Sequence, residues 1–359
     1  MMVTPLPEHP FFIVGHPRSG TTLLRFILSS HPRLYVPDET GFIPSLLRRS
    51  SWKRDLQSSW KRDLQSSWKR DLQVGEVEAI LREIGRLNRH WAGLVEDAPA
   101  FYAALAEPDL AHVLDALYRR QKGEQTAARW GDKTPTYVRH IPALSQLFPT
   151  AQFIHLIRDA RDATLSAQKK WSGRRPYMDS YYLLKQWARN VAAGRAAGHA
   201  LGPTRYLEVF YEEMVQTPRP VIERICHFLG EDFQPVMLDH ARLARQTIGP
   251  GGHVEVREPI STQSVGRWRT RLSPFDQKLA DHLIGPLLAS LGYELSGRGP
   301  FTTAERLRVL LLAARFRLVD TTRTALYAAG WLTLNRGKRG GRWQVASGNP
   351  KSKIQNPKS

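Results

Sequence analysis

Two stretches of this sequence put anion-binding chemistry at the end of an apolar strand. In the first, Phe11–Gly15 (FFIVG) runs straight into HPRSGTTLLRFIL. A loop between a strand and a helix N-terminus presents free backbone N–H groups and the positive end of the helix dipole, so it favours a phosphate. Gly15 and Gly20 stand five apart, in the frame of a triphosphate-binding loop. Gly20 lets the backbone approach an anion closely, and Thr21 and Thr22 add hydroxyl donors. Thr21 occupies the place of the loop lysine, however, and the cation sits inside the loop as Arg18.

The second stretch is QFIHLIRDARDATLSAQKKW. Its apolar strand, Gln152–Ile157, ends in Arg158 before Asp159. A triphosphate site needs the loop lysine on the β- and γ-phosphates and Mg²⁺ held by a strand-end Asp. Both are displaced here, so the pattern predicts nucleotide binding without NTP–Mg²⁺ hydrolysis and without a metal. An arginine at the carboxyl end of a buried strand is costly unless it meets an anion. Ser166 follows eight residues later, two turns into the next helix, where it can face the same anion as Arg158. Two such sites describe a nucleotide with phosphate at both ends.

Proton-transfer candidates are less sharply marked. Glu39 follows the strand-like Leu34–Val36, but DETG is also turn-like; Glu39 alone reads as a solvated acid or helix cap, with Asp38 as its nearest competitor. Lys133 in WGDKTP reads by itself as a surface lysine, with Asp132 placed to orient it. His16 and His155 are alternative bases. Ser19 has no base partner in sequence for a nucleophilic role. Glu212, Glu213 and Asp232 read as solvated helix-end acids.

The elements that must carry these residues alternate. Strand patterns at Phe11–Gly15, Gln152–Ile157 and Thr204–Val209 are interleaved with helical ones at Thr21–Ser30, Val74–Leu87, Asp109–Gln121, Pro142–Phe148, Ala160–Lys170, Tyr181–Ala200, Pro218–Leu229 and Pro274–Leu291. That order predicts an α/β fold, a three-layer sandwich with a central parallel sheet and helices on both faces.

Taken together the motifs resemble the sulfotransferases that use 3′-phosphoadenosine 5′-phosphosulfate (PAPS), closest to the tyrosylprotein-sulfotransferase-like branch. The resemblance rests on Ile13–Arg25, Glu39–Thr40, Lys133–Pro135, Leu147–Asp159 and Leu291–Tyr293, and covers roughly residues 11 to 293. It implies that Pro17, Arg18, Ser19, Gly20, Thr21 and Thr22 hold the 5′-phosphosulfate. Arg158 and Ser166 would hold the 3′-phosphate of PAPS and of its product, 3′,5′-ADP (PAP). Glu39 falls on the general base, and Lys133 on a lysine that stabilises the transferring sulfuryl group. Ser264–Trp268 resembles the loop that closes over the nucleotide, with Ser261 and Thr262 where cytosolic relatives carry Arg and Lys. The rival functions are a P-loop kinase and a non-catalytic descendant that binds a membrane or partner.

The 359 residues carry a formal net charge of +19. SSWKRDLQ occurs three times without change over residues 50–73, and reads as a tandem expansion inside a helical connection. These repeats carry +3 and the Gly/Lys/Arg-rich tail, 335–359, carries +7, leaving +9 on the rest. The basic body favours an anionic ligand; nucleic acid is disfavoured because no recognition-helix or RNP pattern is present. The organisation expected is a sulfotransferase domain over 1–300, a helical extension over 301–334 and a disordered tail over 335–359. The start MMVTPLPEHP lacks a signal pattern, and Leu307–Leu334 is broken by charges, so a cytoplasmic protein is expected. Cys226, the single cysteine, falls in a helical stretch and reads as a core thiol. The acceptor is a hydroxyl on a small molecule, lipid head group, saccharide or peptide; peripheral membrane contact is a further reading of the repeats and the basic end.

Overall fold

The computed structural model describes residues 10–47, 70–123, 129–171, 177–248 and 254–328. Most of the SSWKRDLQ repeats and the whole 335–359 tail lie outside the described residues. Five strands form one sheet: β1 (Phe11–Gly15), β2 (Leu34–Tyr35), β3 (Arg129–Lys133), β4 (Gln152–Ile157) and β5 (Tyr206–Phe210), in the order β2-β3-β1-β4-β5. Every pairing is parallel, with Phe11 opposite Gly131 on one side and Gln152 on the other. The crossover after β1 leaves toward β2 and the one after β4 leaves the opposite way, toward β5, so the connections diverge between β1 and β4. Ligands of such sheets bind at that switch, outside the carboxyl ends of the strands.

The alternation of β1 builds both faces. Phe12 and Val14 join a core with α2 (Val74–Leu87) and α3 (Leu110–Lys122), where Phe12 stacks on Phe153 at 5.3 Å. Phe11 and Ile13 point the other way, to α1 (Thr21–Ser29) and α6 (Pro218–Leu229). A third cluster joins α4 (Ala160–Trp171), α5 (Ser180–Leu201), α7 (Pro274–Ser290) and α8 (Thr303–Ala328). This is the α/β sandwich the sequence predicts. Expected element ends agree with the observed ones to within a residue or two. Cys226 is buried on α6, and burial pushes its thiol up to about 11.

Strand β3 (RWGDK) is the element the hydrophobic pattern does not announce. It is buried throughout although only Trp130 is a large apolar residue. Each polar side chain has a partner instead. Arg129 reaches the Leu229 carbonyl and Gln152, and Trp130 Nε1 donates to Asp115 Oδ1 at 2.7 Å. Gly131 is required because a side chain there would overlap the Phe11 ring. Asp132 and Lys133 point to opposite faces, as strand neighbours must. Asp132 therefore does not orient Lys133; it accepts from Thr40 Oγ1 and Tyr118, and burial pushes its carboxyl up. Lys133 is not a surface residue but 3% exposed.

Candidate active site

The loop after β1 is shaped by backbone conformations that favour glycine. Gly20, the residue before α1, has φ 93°, and Arg18 has φ 74°. The loop closes through the Ser19 N–H, which donates to the His16 carbonyl at 3.1 Å. No side chain caps α1, so its first-turn N–H groups face the loop. Ser19 is fully buried, and its Oγ has no hydrogen-bond partner among the described residues. A Cβ on Gly20 would overlap the Tyr211 ring. Gly20→Ala is therefore expected to destabilise the fold by about 2–4 kcal/mol, through the left-handed φ and the overlap together, read as a lower denaturation midpoint.

Arg158, directly after β4, packs against this loop from the neighbouring strand end. Its Nη1 donates to the Arg18 carbonyl at 3.1 Å and its Nη2 to the Ser264 carbonyl at 2.6 Å. Its guanidinium lies over Tyr211, 4.3 Å from the ring centre. Its Nε is buried without a partner among the described residues. Arg18 Nε donates to Ser166 Oγ at 3.0 Å, so Ser166 on α4 does face the loop across 148 residues of sequence. Burial pushes the Arg18 guanidinium below the usual arginine range; Glu255 offsets this and Arg158 adds to it. Ser166, expected to share an anion with Arg158, thus contacts Arg18 of the first loop, and Arg158 reaches the same loop through the Arg18 carbonyl.

Segment 261–268 folds onto the same side of the sheet. Asp162 accepts from the N–H groups of Gly266 at 2.7 Å and Trp268 at 2.8 Å. Arg161 stacks on Trp268 at 3.4 Å and is held by Asp159 through Nε at 3.0 Å and Nη2 at 2.7 Å. Ser264 enters the site through its carbonyl. Ser261 and Thr262 are exposed, and they accept from Gln263 and Val265 within their own turn rather than reaching Arg158.

Glu39 and Lys133 complete the arrangement. Lys133 Nζ lies 2.7 Å from Glu39 Oε1 and 3.4 Å from Thr22 Oγ1, bridging the carboxylate and the start of α1. The Glu39 backbone is held from two directions. Asn88 Nδ2 donates to its carbonyl at 3.1 Å, and the next residue, Thr40, is tied to Asp132, Thr134 and Tyr137. Glu39 keeps 45% of its side chain exposed, so it can be reached from solvent. Asp38 instead pairs with Arg25 and is 71% exposed.

The histidines serve other purposes. Burial, helped by Arg139, pushes His16 down to about 3. Arg139 Nε donates to Asn190 Oδ1 at 2.6 Å, which turns the Asn190 amide N–H toward His16 Nδ1 at 3.0 Å. His16 is therefore neutral, with its proton on Nε2: a donor rather than a base. His155 is fully buried beside Tyr206 at 2.6 Å, and burial pushes it to about 3 as well. Glu212 departs from the solvated acid expected. It accepts from the Asp159 N–H at 2.9 Å and the Tyr293 hydroxyl at 3.0 Å, and burial pushes it up. Glu213 pairs with Arg224 on the surface, as expected of a helix-end acid. Tyr211, Asp162 and Asn88 are positioning residues that sequence reasoning missed, while Thr40 and Trp268 lay in quoted motifs without a role of their own. Asp162 lay within the second strand-end stretch; Asn88 and Tyr211 carried no signal in the sequence.

A model described as the sulfotransferase family matches residues 10–235 of the chain. Protein-tyrosine sulfotransferase 2 of Gallus gallus is 28% identical over 296 residues, 79% of this chain and 69% of that protein. Protein-tyrosine sulfotransferase 1 of Homo sapiens is 26% identical over 298 residues, with the same two coverages of 79% and 69%. Among solved structures, the sulfotransferase domain of the Synechococcus PCC 7002 olefin synthase superposes with a TM-score of 0.52 at 25% identity, covering 81% of this chain and 97% of that one. The family match spans more than half of the chain and includes the loop after β1, Glu39, Lys133, Arg158 and Ser166: the chain belongs to the sulfotransferase family.

Proposed function

We propose that this protein transfers a sulfuryl group from PAPS to an acceptor hydroxyl, with Glu39 as general base. The observation that carries the reading is the Glu39–Lys133–Thr22 bridge. It sets a proton acceptor and a buried cation at the edge of a phosphate-shaped loop. At the other end of the loop Arg18, Ser166 and Arg158 gather, and two buried donors, Ser19 Oγ and Arg158 Nε, await partners. A nucleotide with phosphates at both ends would satisfy them.

PAPS supplies a sulfuryl group on a good leaving nucleotide: its S–O bond to the nucleotide breaks as the acceptor oxygen bonds to sulfur, releasing 3′,5′-ADP. Glu39 takes the acceptor's hydroxyl proton. Lys133 and the open N-terminus of α1 supply positive potential where charge builds on the leaving oxygen. Arg158 and Ser166 hold the 3′-phosphate, and Asp162 keeps segment 264–268 closed against α4. The acceptor carries a hydroxyl; the names of the relatives point to protein tyrosine as the first class to screen.

An ATP–Mg²⁺ kinase fits less well. Thr21 stands at the loop-lysine position, and Asp159 is engaged by Arg161 rather than turned toward a metal. Calorimetric titration of the full chain with 3′,5′-ADP and with ATP plus Mg²⁺ tests the choice. The expected result is at least about 100-fold tighter binding of 3′,5′-ADP, from charge-assisted contacts to the 3′-phosphate. Preference for ATP–Mg²⁺ would overturn the reading.

A further inference from the structure

Helix α8 is 26 residues long and packs on the body along one side only. Phe316 is buried against Tyr181 and Tyr182, and Val309, Leu312, Ala313 and Val319 join the same cluster. Its two acids also turn inward: Glu305 pairs with Lys278 at 3.0 Å and Asp320 with Arg189 at 2.7 Å. Among the described side chains, the large and charged ones on the outward face are therefore leucine and arginine alone. Leu307, Leu310, Leu311 and Leu318 are 59, 65, 72 and 69% exposed, whereas only two other large hydrophobics among the described residues are comparably exposed.

At about 100° per residue, these four leucines fall within an arc of about 100°. Arg306 and Arg317 run along one edge of that arc, and Arg308 and Arg315 along the other. Arg308 lies over the Phe275 ring at 4.0 Å and Arg315 is 3.7 Å from Asp179, so both are held at the rim. An apolar stripe between two cationic rims is the pattern of a helix lying in a lipid interface, where leucines enter the acyl boundary and arginines reach the head groups.

We propose that α8 seats the protein flat on an anionic membrane surface. Charge selects this occupant. No acid lies on the outward face, and the sequence beyond the helix adds Trp331, Leu332 and Leu334, then seven Lys/Arg and no acid over 335–359. A second copy docked face to face would set arginine rims against each other in a chain of net charge +19. Nucleic acid would leave the leucines without a partner. No helix among the described residues is long and apolar enough to cross a membrane, so the contact is peripheral.

Sedimentation of the full chain with vesicles tests this, using phosphatidylcholine alone and phosphatidylcholine with about one-third phosphatidylserine. The chain is expected to pellet with the anionic vesicles and not with the neutral ones. Replacing Leu310→Ser with Leu311→Ser should weaken that binding about tenfold or more, and Arg306→Glu with Arg317→Glu should do likewise. These side chains are exposed, so both variants should keep wild-type melting curves and 3′,5′-ADP affinity. The proposal is overturned if the wild type stays in the supernatant with anionic vesicles. It is equally overturned if the leucine variant binds as tightly as wild type, or if the leucines instead sustain a concentration-dependent dimer or capture an acidic protein without vesicle binding.

Discussion

Glu39→Gln is expected to bind 3′,5′-ADP as the wild type does and to lower the rate of sulfuryl transfer by about 10²–10⁴-fold. Glutamine keeps the shape of the side chain and an oxygen for Lys133, now 2.7 Å from Glu39 Oε1. It removes only the ability to hold the acceptor's proton. The backbone clamps from Asn88 and from the Thr40–Asp132 cluster do not involve the carboxylate and should survive. Lys133 is buried, so losing the charge opposite it costs about 1–3 kcal/mol, but glutamine still offers it an oxygen and the variant should fold. Asp38→Asn is the matched control: Asp38 faces solvent beside Arg25, so its turnover should not change. Turnover by Glu39→Gln equal to wild type would remove Glu39 from the base role, and a parallel loss of 3′,5′-ADP affinity would show that the substitution disturbed the loop.

The two ends of this site differ in how legible they are. The phosphate loops can be read from sequence because their chemistry is local: strand, glycine, arginine and hydroxyls follow one another, and β1 and β4 announce themselves as apolar runs. The carboxylate–lysine end is assembled from residues 94 apart, on a turn and on β3. Nothing local shows that Lys133 is buried, because β3 obtains its stability from satisfied polar groups and cross-strand aromatic packing rather than from an apolar pattern. Resemblance to the family brought Glu39 and Lys133 forward where residue patterns left them on the surface. It did not show that Asp132 serves Thr40, nor that Glu212 and Tyr293 brace the Asp159 backbone. Such buried polar pairs depend on which strands become neighbours, and that is a property of topology. The exposed leucine stripe of α8 was hidden for the opposite reason: its apolar residues surround the helix, so only packing shows which of them are left uncovered.

Arg18→Gly is expected to abolish tight 3′,5′-ADP binding, by at least about 100-fold, while leaving stability unchanged or raising it by up to about 1 kcal/mol. Arg18 is the only described non-glycine residue with positive φ, at 74°, a conformation that costs about 1 kcal/mol or more for a side chain with a Cβ. Its guanidinium is also buried near that of Arg158, which opposes its charge. Both are costs to the folded protein, and a bound anion would offset the second by neutralising the neighbouring guanidinium groups. The contacts that close the loop, Ser19 N–H to the His16 carbonyl and Arg158 to the Arg18 carbonyl, use the backbone and survive the loss of the side chain. Arg18→Ala separates the two effects: it should lose nucleotide affinity to the same extent but melt below the glycine variant, because alanine keeps the strained φ. Melting curves and calorimetry on the same three proteins decide the matter. A glycine variant that binds 3′,5′-ADP like the wild type would mean that Arg18 is not a phosphate ligand. One that binds weakly and melts no lower than wild type would show that the strain in this loop serves the ligand and not the fold.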